Sequence, residues 1–209
     1  MSLLLKIDVD GVLRDWNHSL IRVYKAKYPN ARVNYPFGDF DIRPEFPDAL
    51  KIDDFYRSHS YAEDIYLNAE PYKGAVDFIE KLVKAFPNVW LVSTQFQNTM
   101  YPTIAWCEKN LPSAHNLPML FSKDKGSIGR GKFDETVLID DAPHNLHSEM
   151  EAGGIPLGFG QSYNYGKINF CVGFYGDINF SEAHEPDRCA KQFQMILKYL
   201  QNAFAHVIE

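Results

Sequence analysis

The chain is 209 residues long, 45% hydrophobic and 23% charged, the balance of an ordinary soluble globular protein with one substantial core and room for a smaller attachment. Its net charge of -6 argues against non-specific binding to polyanions over the whole surface, while a local basic pocket stays compatible with it. Three scattered cysteines, Cys107, Cys171 and Cys189, exclude a disulfide framework and a CxxC metal site and predict a reduced, cytoplasmic setting.

The amino-terminal apolar run is too short and too soon acidic for a signal peptide. No stretch approaches the roughly 18 apolar residues needed to span a membrane. Leu3 to Val9 predicts a strand buried on both faces, as in a parallel sheet covered by helices. It runs into Asp8 and Asp10, and Gly11 permits the sharp exit that a residue with a Cβ resists. An Asp-x-Asp-Gly string also occurs in surface turns and calcium loops. Calcium loops, however, do not normally begin inside an apolar strand, and the spaced oxygen ligands and closing glutamate are absent here.

Asp15 to Tyr28 predicts a helix, stopped by Pro29-Asn30. From Asn34 to Tyr72 prolines and aromatics crowd a stretch with no strand pattern. This predicts a small helical insertion over 15–72, with short helices over 46–50, 53–60 and 61–68. Most of its aromatics are read as the insertion's own core, the remainder as candidates to line a substrate pocket. Gly74 to Phe86 is a cleaner helix, with Ala75, Ile79, Leu82, Val83 and Phe86 on one stripe. A strand over Val89–Ser93 follows, then a helix over 101–110 with Pro102 in its first turn. Further strands are predicted over 118–122, 136–139 and 155–159, and an amphipathic helix over 186–204 closes the chain. Alternation of strands and helices predicts an α/β core over 1–14 and 73–209, built on a parallel sheet with right-handed crossovers. The stretch from Asn164 to Phe180, rich in glycine and aromatics, is read as a hairpin or an irregular extension.

Four of these strands deliver a polar group at or just past the carboxyl end: Asp8 and Asp10, then Ser93, then Lys125, then Asp140 and Asp141. In a parallel sheet those ends share one edge, where ligands bind. Several carboxylates in one crevice repel one another unless a cation intervenes, and oxygen ligands that keep some waters point to Mg2+. A hydroxyl and an ammonium suit a phosphate, and a carboxylate can attack phosphorus to form an aspartyl-phosphate. A second carboxylic acid two residues on can protonate the leaving oxygen and later deprotonate water.

The run Asp8-Val9-Asp10-Gly11-Val12, Ser93, Lys125 and Leu138-Ile139-Asp140-Asp141 resemble the four motifs of the haloacid dehalogenase superfamily. Within it, Glu70-Pro71-Tyr72-Lys73-Gly74 and Ser122-Lys123-Asp124-Lys125 are similar to the 5'(3')-deoxyribonucleotidase group. The resemblance implies a Rossmann-like core with a cap inserted after the first strand, and a phosphatase acting on nucleoside monophosphates. It implies Asp8 as nucleophile and metal ligand, and Asp10 as acid/base that binds the metal through its backbone carbonyl. Ser93, with Thr94 beside it, would hold the phosphoryl group and Lys125 would neutralise it. Asp141 would be the direct metal ligand, with Asp140 supporting. Two departures bear on nucleotide preference: Thr94-Gln95 stands where Ser-Pro is expected, and Ala142-Pro143 where Arg-Pro is expected.

Other readings are a phosphatase for a sugar phosphate or a nucleic-acid 3' end, and a non-catalytic module sensing phosphate or metal. The lack of an extended basic stripe counts against polynucleotides. Lys123 competes with Lys125, which motif alignment favours. Gly126 to Lys132 lacks the spacing of a phosphate loop and is read as a flexible basic surface loop. His144 and His147 have no third zinc ligand near them in sequence and are read as exposed or capping. Lys6 receives no role, and the oligomeric state, homodimer included, is left open.

Overall fold

The strands β1 (Leu3–Asp8), β2 (Val89–Ser93), β3 (Met119–Phe121), β4 (Glu135–Asp140) and β5 (Ile155–Gly158) form one parallel sheet of order β3-β2-β1-β4-β5. Leu5 at its centre stands opposite Val89 on one side and Val137 on the other. Every residue of β1 is buried, as an apolar strand covered on both faces must be. The order reverses at β1, so the crevice beyond its carboxyl end is the topological switch point where open α/β sheets bind ligands. This computed structural model describes residues 1–164 and 186–207, so the hairpin or extension read beyond Asn164 lies outside the described residues.

Between β1 and β2 lie α1 (Trp16–Lys27), α2 (Ile52–Tyr56), α3 (His59–Ala62) and α4 (Ala75–Ala85). The Asp15 carboxylate caps α1, accepting the His18 N–H at 3.2 Å. A helix expected over 46–50 is not formed. Phe46 precedes Pro47, which disfavours the helical region for it; it sits at φ -118°, ψ 67°, after a short 3₁₀ turn over Arg43–Glu45. The helix expected over 53–60 starts at Ile52 and stops at Tyr56. Ser58 then turns extended and caps α3, which runs on into a π-helical turn over Glu63–Leu67.

The helix α5 (Gln97–Asn110) begins earlier than Pro102 suggests. The Thr99 hydroxyl accepts the Phe96 N–H at 3.1 Å and so closes the first turn ahead of the proline. The helix α6 (Pro143–Glu151) carries no clear apolar stripe, because two of its three buried side chains are the polar Asn145 and Glu149. It connects β4 to β5, and α7 (Pro186–Ala203) closes the sheet's helical cover.

Two apolar clusters divide the molecule. One joins the sheet to α4, α5 and α7 through Ile7, Leu91, Phe78, Trp106, Ile139 and Phe193. The other gathers Leu20, Tyr24, Phe37, Phe46, Phe55 and Ile65, all from the stretch between β1 and α4, together with Tyr163. The chain enters and leaves that stretch side by side. Asp15 N–H donates to Glu70 O at 2.9 Å, Tyr72 N–H donates to Leu13 O at 2.9 Å, and Arg14 bridges Pro71 in antiparallel fashion. Arg14 is fully buried in this neck, donating to the Tyr66 carbonyl and the Thr103 hydroxyl at 2.9 Å each.

Candidate active site

The carboxyl ends of β1 and β4 bring Asp8, Asp140 and Asp141 together, with one oxygen of each within 4.8 Å of the others. All three are buried. Gly11 makes room for this: at φ 77° it takes a conformation that side chains resist, and a Cβ there would collide with the Asp141 carboxylate. Lys125 Nζ stands between two of the acids, 2.8 Å from Asp8 Oδ1 and 2.7 Å from Asp140 Oδ2. Asp140 is fastened further by the Ala142 N–H at 2.8 Å and the Asn145 amide at 3.1 Å. Asp141 accepts a hydrogen bond from the Tyr163 hydroxyl.

Three carboxylates against one ammonium leave the crevice short of positive charge. Burial holds the Asp8 carboxyl well above the usual range; Lys125 pulls it down, while Asp140 and Asp141 push it further up. Burial, then Asp140, pushes Asp141 up to about 7, against the Tyr163 hydrogen bond and Lys125. Burial also works against the charge of Lys125, but Asp140 and Asp8 outweigh it and raise that ammonium. Hard oxygen donors, mutual repulsion and a buried setting together fit a divalent cation bound by carboxylates.

Asp10, Ser93, Thr94 and His144, also singled out from sequence, line the same cleft, a cavity of about 270 Å³, whereas Lys123 and His147 do not. Ser93 is buried at the end of β2. Asp10 lies outside the three-carboxylate group: Arg14 grips it with Nε on Oδ1 at 2.7 Å and Nη2 on Oδ2 at 3.0 Å. Thr94 borders the cleft, but its hydroxyl donates to the Ser122 carbonyl at 2.8 Å. Lys123 is exposed, in contrast to Lys125. His147 pairs with Glu151 at 3.1 Å, and exposed His144 meets Phe40 edge-on at the rim. The walls include Trp16, Tyr56 and Tyr66 from the insertion, and Phe96.

Several contributors escape a reading of the sequence. Lys6 in β1 is wholly buried, with Nζ 2.6 Å from Glu149 Oε2, 2.9 Å from the Lys125 carbonyl and 3.1 Å from that of Ile128. The loop after Lys125, expected to be a flexible surface loop, is thus fastened from beneath. The buried Lys6 in an apolar strand is the one signal of this. Arg14, Asn145 and Tyr163 carry none: the first two lie just past the strand ends they serve, where no period constrains them, and Tyr163 is far in sequence from Asp141.

A family profile described as "5' nucleotidase, deoxy (Pyrimidine), cytosolic type C protein" matches residues 2–172. A Bordetella bronchiseptica protein provisionally named 5'(3')-deoxyribonucleotidase is 25% identical over 149 residues, 68% of this chain and 75% of the relative. The mouse protein named mitochondrial 5'(3')-deoxyribonucleotidase is 23% identical over 175 residues, 78% of this chain and 76% of its own length. Among solved structures, a haloacid dehalogenase-like hydrolase from Streptococcus pneumoniae superposes with a TM-score of 0.55 at 16% identity, covering 96% of this chain and 99% of that one. That likeness concerns the fold, which is the Rossmann-like haloacid dehalogenase type. With the profile spanning the sheet, the insertion and every acidic strand end, the chain belongs to the cytosolic type C 5' nucleotidase family and is an enzyme of the phosphatase and nucleotidase class.

Proposed function

We propose that the chain is a magnesium-dependent phosphomonoester hydrolase that works through an aspartyl-phosphate and acts on nucleoside monophosphates, deoxyribonucleotides among them. The observation that carries this reading is Lys125 buried between Asp8 and Asp140, in the floor of a cleft walled by aromatic rings. The family profile and the names of the relatives support the nucleotide as substrate.

Asp8, Asp140 and Asp141, with the backbone carbonyl of Asp10, would hold the ion. Magnesium in that place supplies charge neutralisation for the carboxylates and for the phosphate oxygens. The donors reaching Asp8 from Val9 N–H and Lys125 both take Oδ1. In this reading the carboxylate of Asp8 attacks phosphorus, forming the O–P bond as the bond to the leaving alcohol breaks. Ser93, Thr94 and Lys125 hold the phosphoryl group, and Asp10 gives its proton to the leaving oxygen. Asp10 then takes a proton from water, whose attack on phosphorus releases inorganic phosphate and restores Asp8. Residues 15–72 serve as a cap that chooses the substrate, with Trp16, Tyr56 and Tyr66 offered to its non-phosphate part. A reduced, cytoplasmic setting agrees with buried, unbridged Cys107 and Cys189.

The test is phosphate release from a panel of nucleoside 5'- and 3'-monophosphates and sugar phosphates, with and without magnesium. Turnover of nucleotides that chelation removes, and that Asp8→Asn abolishes while circular dichroism stays unchanged, is the expected result. Retained turnover in Asp8→Asn, or a panel on which only sugar phosphates react, contradicts the proposal.

A further inference from the structure

Gln95 sits in the cleft between β2 and α5 and has no part in the roles assigned above. Its Nε2 donates to Asp10 Oδ2 at 2.6 Å and to Ser93 Oγ at 2.9 Å. A primary amide has two hydrogens, so both bonds are made at once. The far end of the side chain is also fixed: Thr99 Oγ1, buried in the first turn of α5, donates to Gln95 Oε1 at 2.7 Å. Turning the amide over would set its oxygen against the Asp10 carboxylate, so the network defines its orientation.

Arg14 relates Asp10 to the Tyr66 carbonyl and to Thr103. Among the described residues, Gln95 alone relates Asp10 to Ser93. We propose that Gln95 is a positioning residue for protonation of the leaving group. Its amide holds the carboxylate of Asp10 at a set distance from the Ser93 hydroxyl, which in the proposed reaction binds the phosphoryl group without accepting it. The proposal rests on the reaction assigned above, in which Asp10 serves the leaving oxygen and Ser93 the phosphoryl group. A proline at this position has no side-chain donor and makes neither bond.

The leaving group distinguishes this role from a structural one. A sugar alcohol must receive a proton as it departs, whereas p-nitrophenolate leaves without one. Gln95→Met keeps the length of the side chain and Gln95→Leu shortens it; both remove the amide without adding a charge. In each variant kcat on a nucleoside monophosphate falls about tenfold, the worth of one charge-assisted hydrogen bond, and kcat on p-nitrophenyl phosphate falls only about twofold. KM for the nucleotide stays within about twofold, because Gln95 acts through Asp10 rather than on ground-state binding. Equal losses on the two esters, or no loss on the nucleotide, overturn the proposal while leaving the reaction assignment in place. Failure of the unaltered chain to hydrolyse either ester with magnesium present overturns the reaction assignment and this proposal together.

Discussion

Lys6→Met tests the most demanding piece of the interior. Lys6 and Glu149 are both fully buried, 2.6 Å apart, and Thr136 Oγ1 donates to the second Glu149 oxygen at 2.7 Å. Burial lowers the Lys6 ammonium from its usual range, and the Glu149 hydrogen bond works against that. Removing the lysine strands a carboxylate with no room to reach water: Gly154 packs so closely that a Cβ there would overlap Glu149. It also strips the Lys125 and Ile128 carbonyls of their donor. Breaking one side of such a pair costs about 3–5 kcal/mol. For a domain of this size that is a fall in Tm of roughly 6–20 °C. Thermal unfolding followed by circular dichroism reads it directly. The double change Lys6→Met with Glu149→Met should recover most of the loss, since it removes both charges and fills the space with apolar atoms. A Lys6→Met chain within about 1 kcal/mol of the parent, or a double variant as unstable as the summed single changes, refutes the reasoning.

Gly11→Ala forces a Cβ onto the Asp141 carboxylate and to 2.9 Å from the Tyr163 hydroxyl, at a backbone φ of 77°. Saturating magnesium should raise the parent's stability by about 2.7 kcal/mol at a hundredfold over Kd. Gly11→Ala should lose that increment, and an unchanged magnesium-induced rise in Tm speaks against a carboxylate site there. His18 is raised from its usual pKa chiefly by its hydrogen bond to Asp15, against the effect of burial, and it also lies against Tyr35. A raised folded-state value means a contribution fully present below about pH 6.5 and lost as pH climbs through the folded pKa. Urea midpoints of the parent should therefore fall relative to Asp15→Asn, which keeps the helix cap, between about pH 6 and pH 9. Parallel curves contradict the pairing.

The convergence of the acidic strand ends was legible because chemistry and period coincide there. A strand that ends in an acid shows a sharp change from apolar to charged residues, and parallel order places all such ends on one edge. Asp8, Asp140 and Asp141 meet for that reason, and Lys125 reaches them from the loop after β3. The helix α6 was hidden by the same rule: Asn145 and Glu149 face inward to serve Asp140 and Lys6, so the apolar stripe is missing. Pro102 misplaced the start of α5 because a proline several residues into a helix looks, in sequence, like a first-turn proline. Within the insertion, Tyr24, Phe46 and Phe55 pack on one another while Trp16, Tyr56 and Tyr66 face the cleft. Side-chain type is the same in both groups, so only the turn of the backbone decides between core and wall. Gln95 shows as a departure from an expected proline, but its bond to Asp10 spans 85 positions and leaves no trace in the local pattern.

Long insertions disturb a sheet when their ends arrive far apart and pull neighbouring strands with them. Residues 16–69 depart and return through the neck where Leu13, Asp15, Glu70 and Tyr72 satisfy one another's backbone groups. To the sheet, that neck is equivalent to a short hairpin loop, and the cost of lengthening what lies beyond it grows only slowly with length. Changes of sequence between Asp15 and Glu70 can thus alter the wall that carries Trp16, Tyr56 and Tyr66 without moving the two ends of the neck apart. Under the function proposed above, that stretch is where the pocket's preference would change while the strand ends stay as they are.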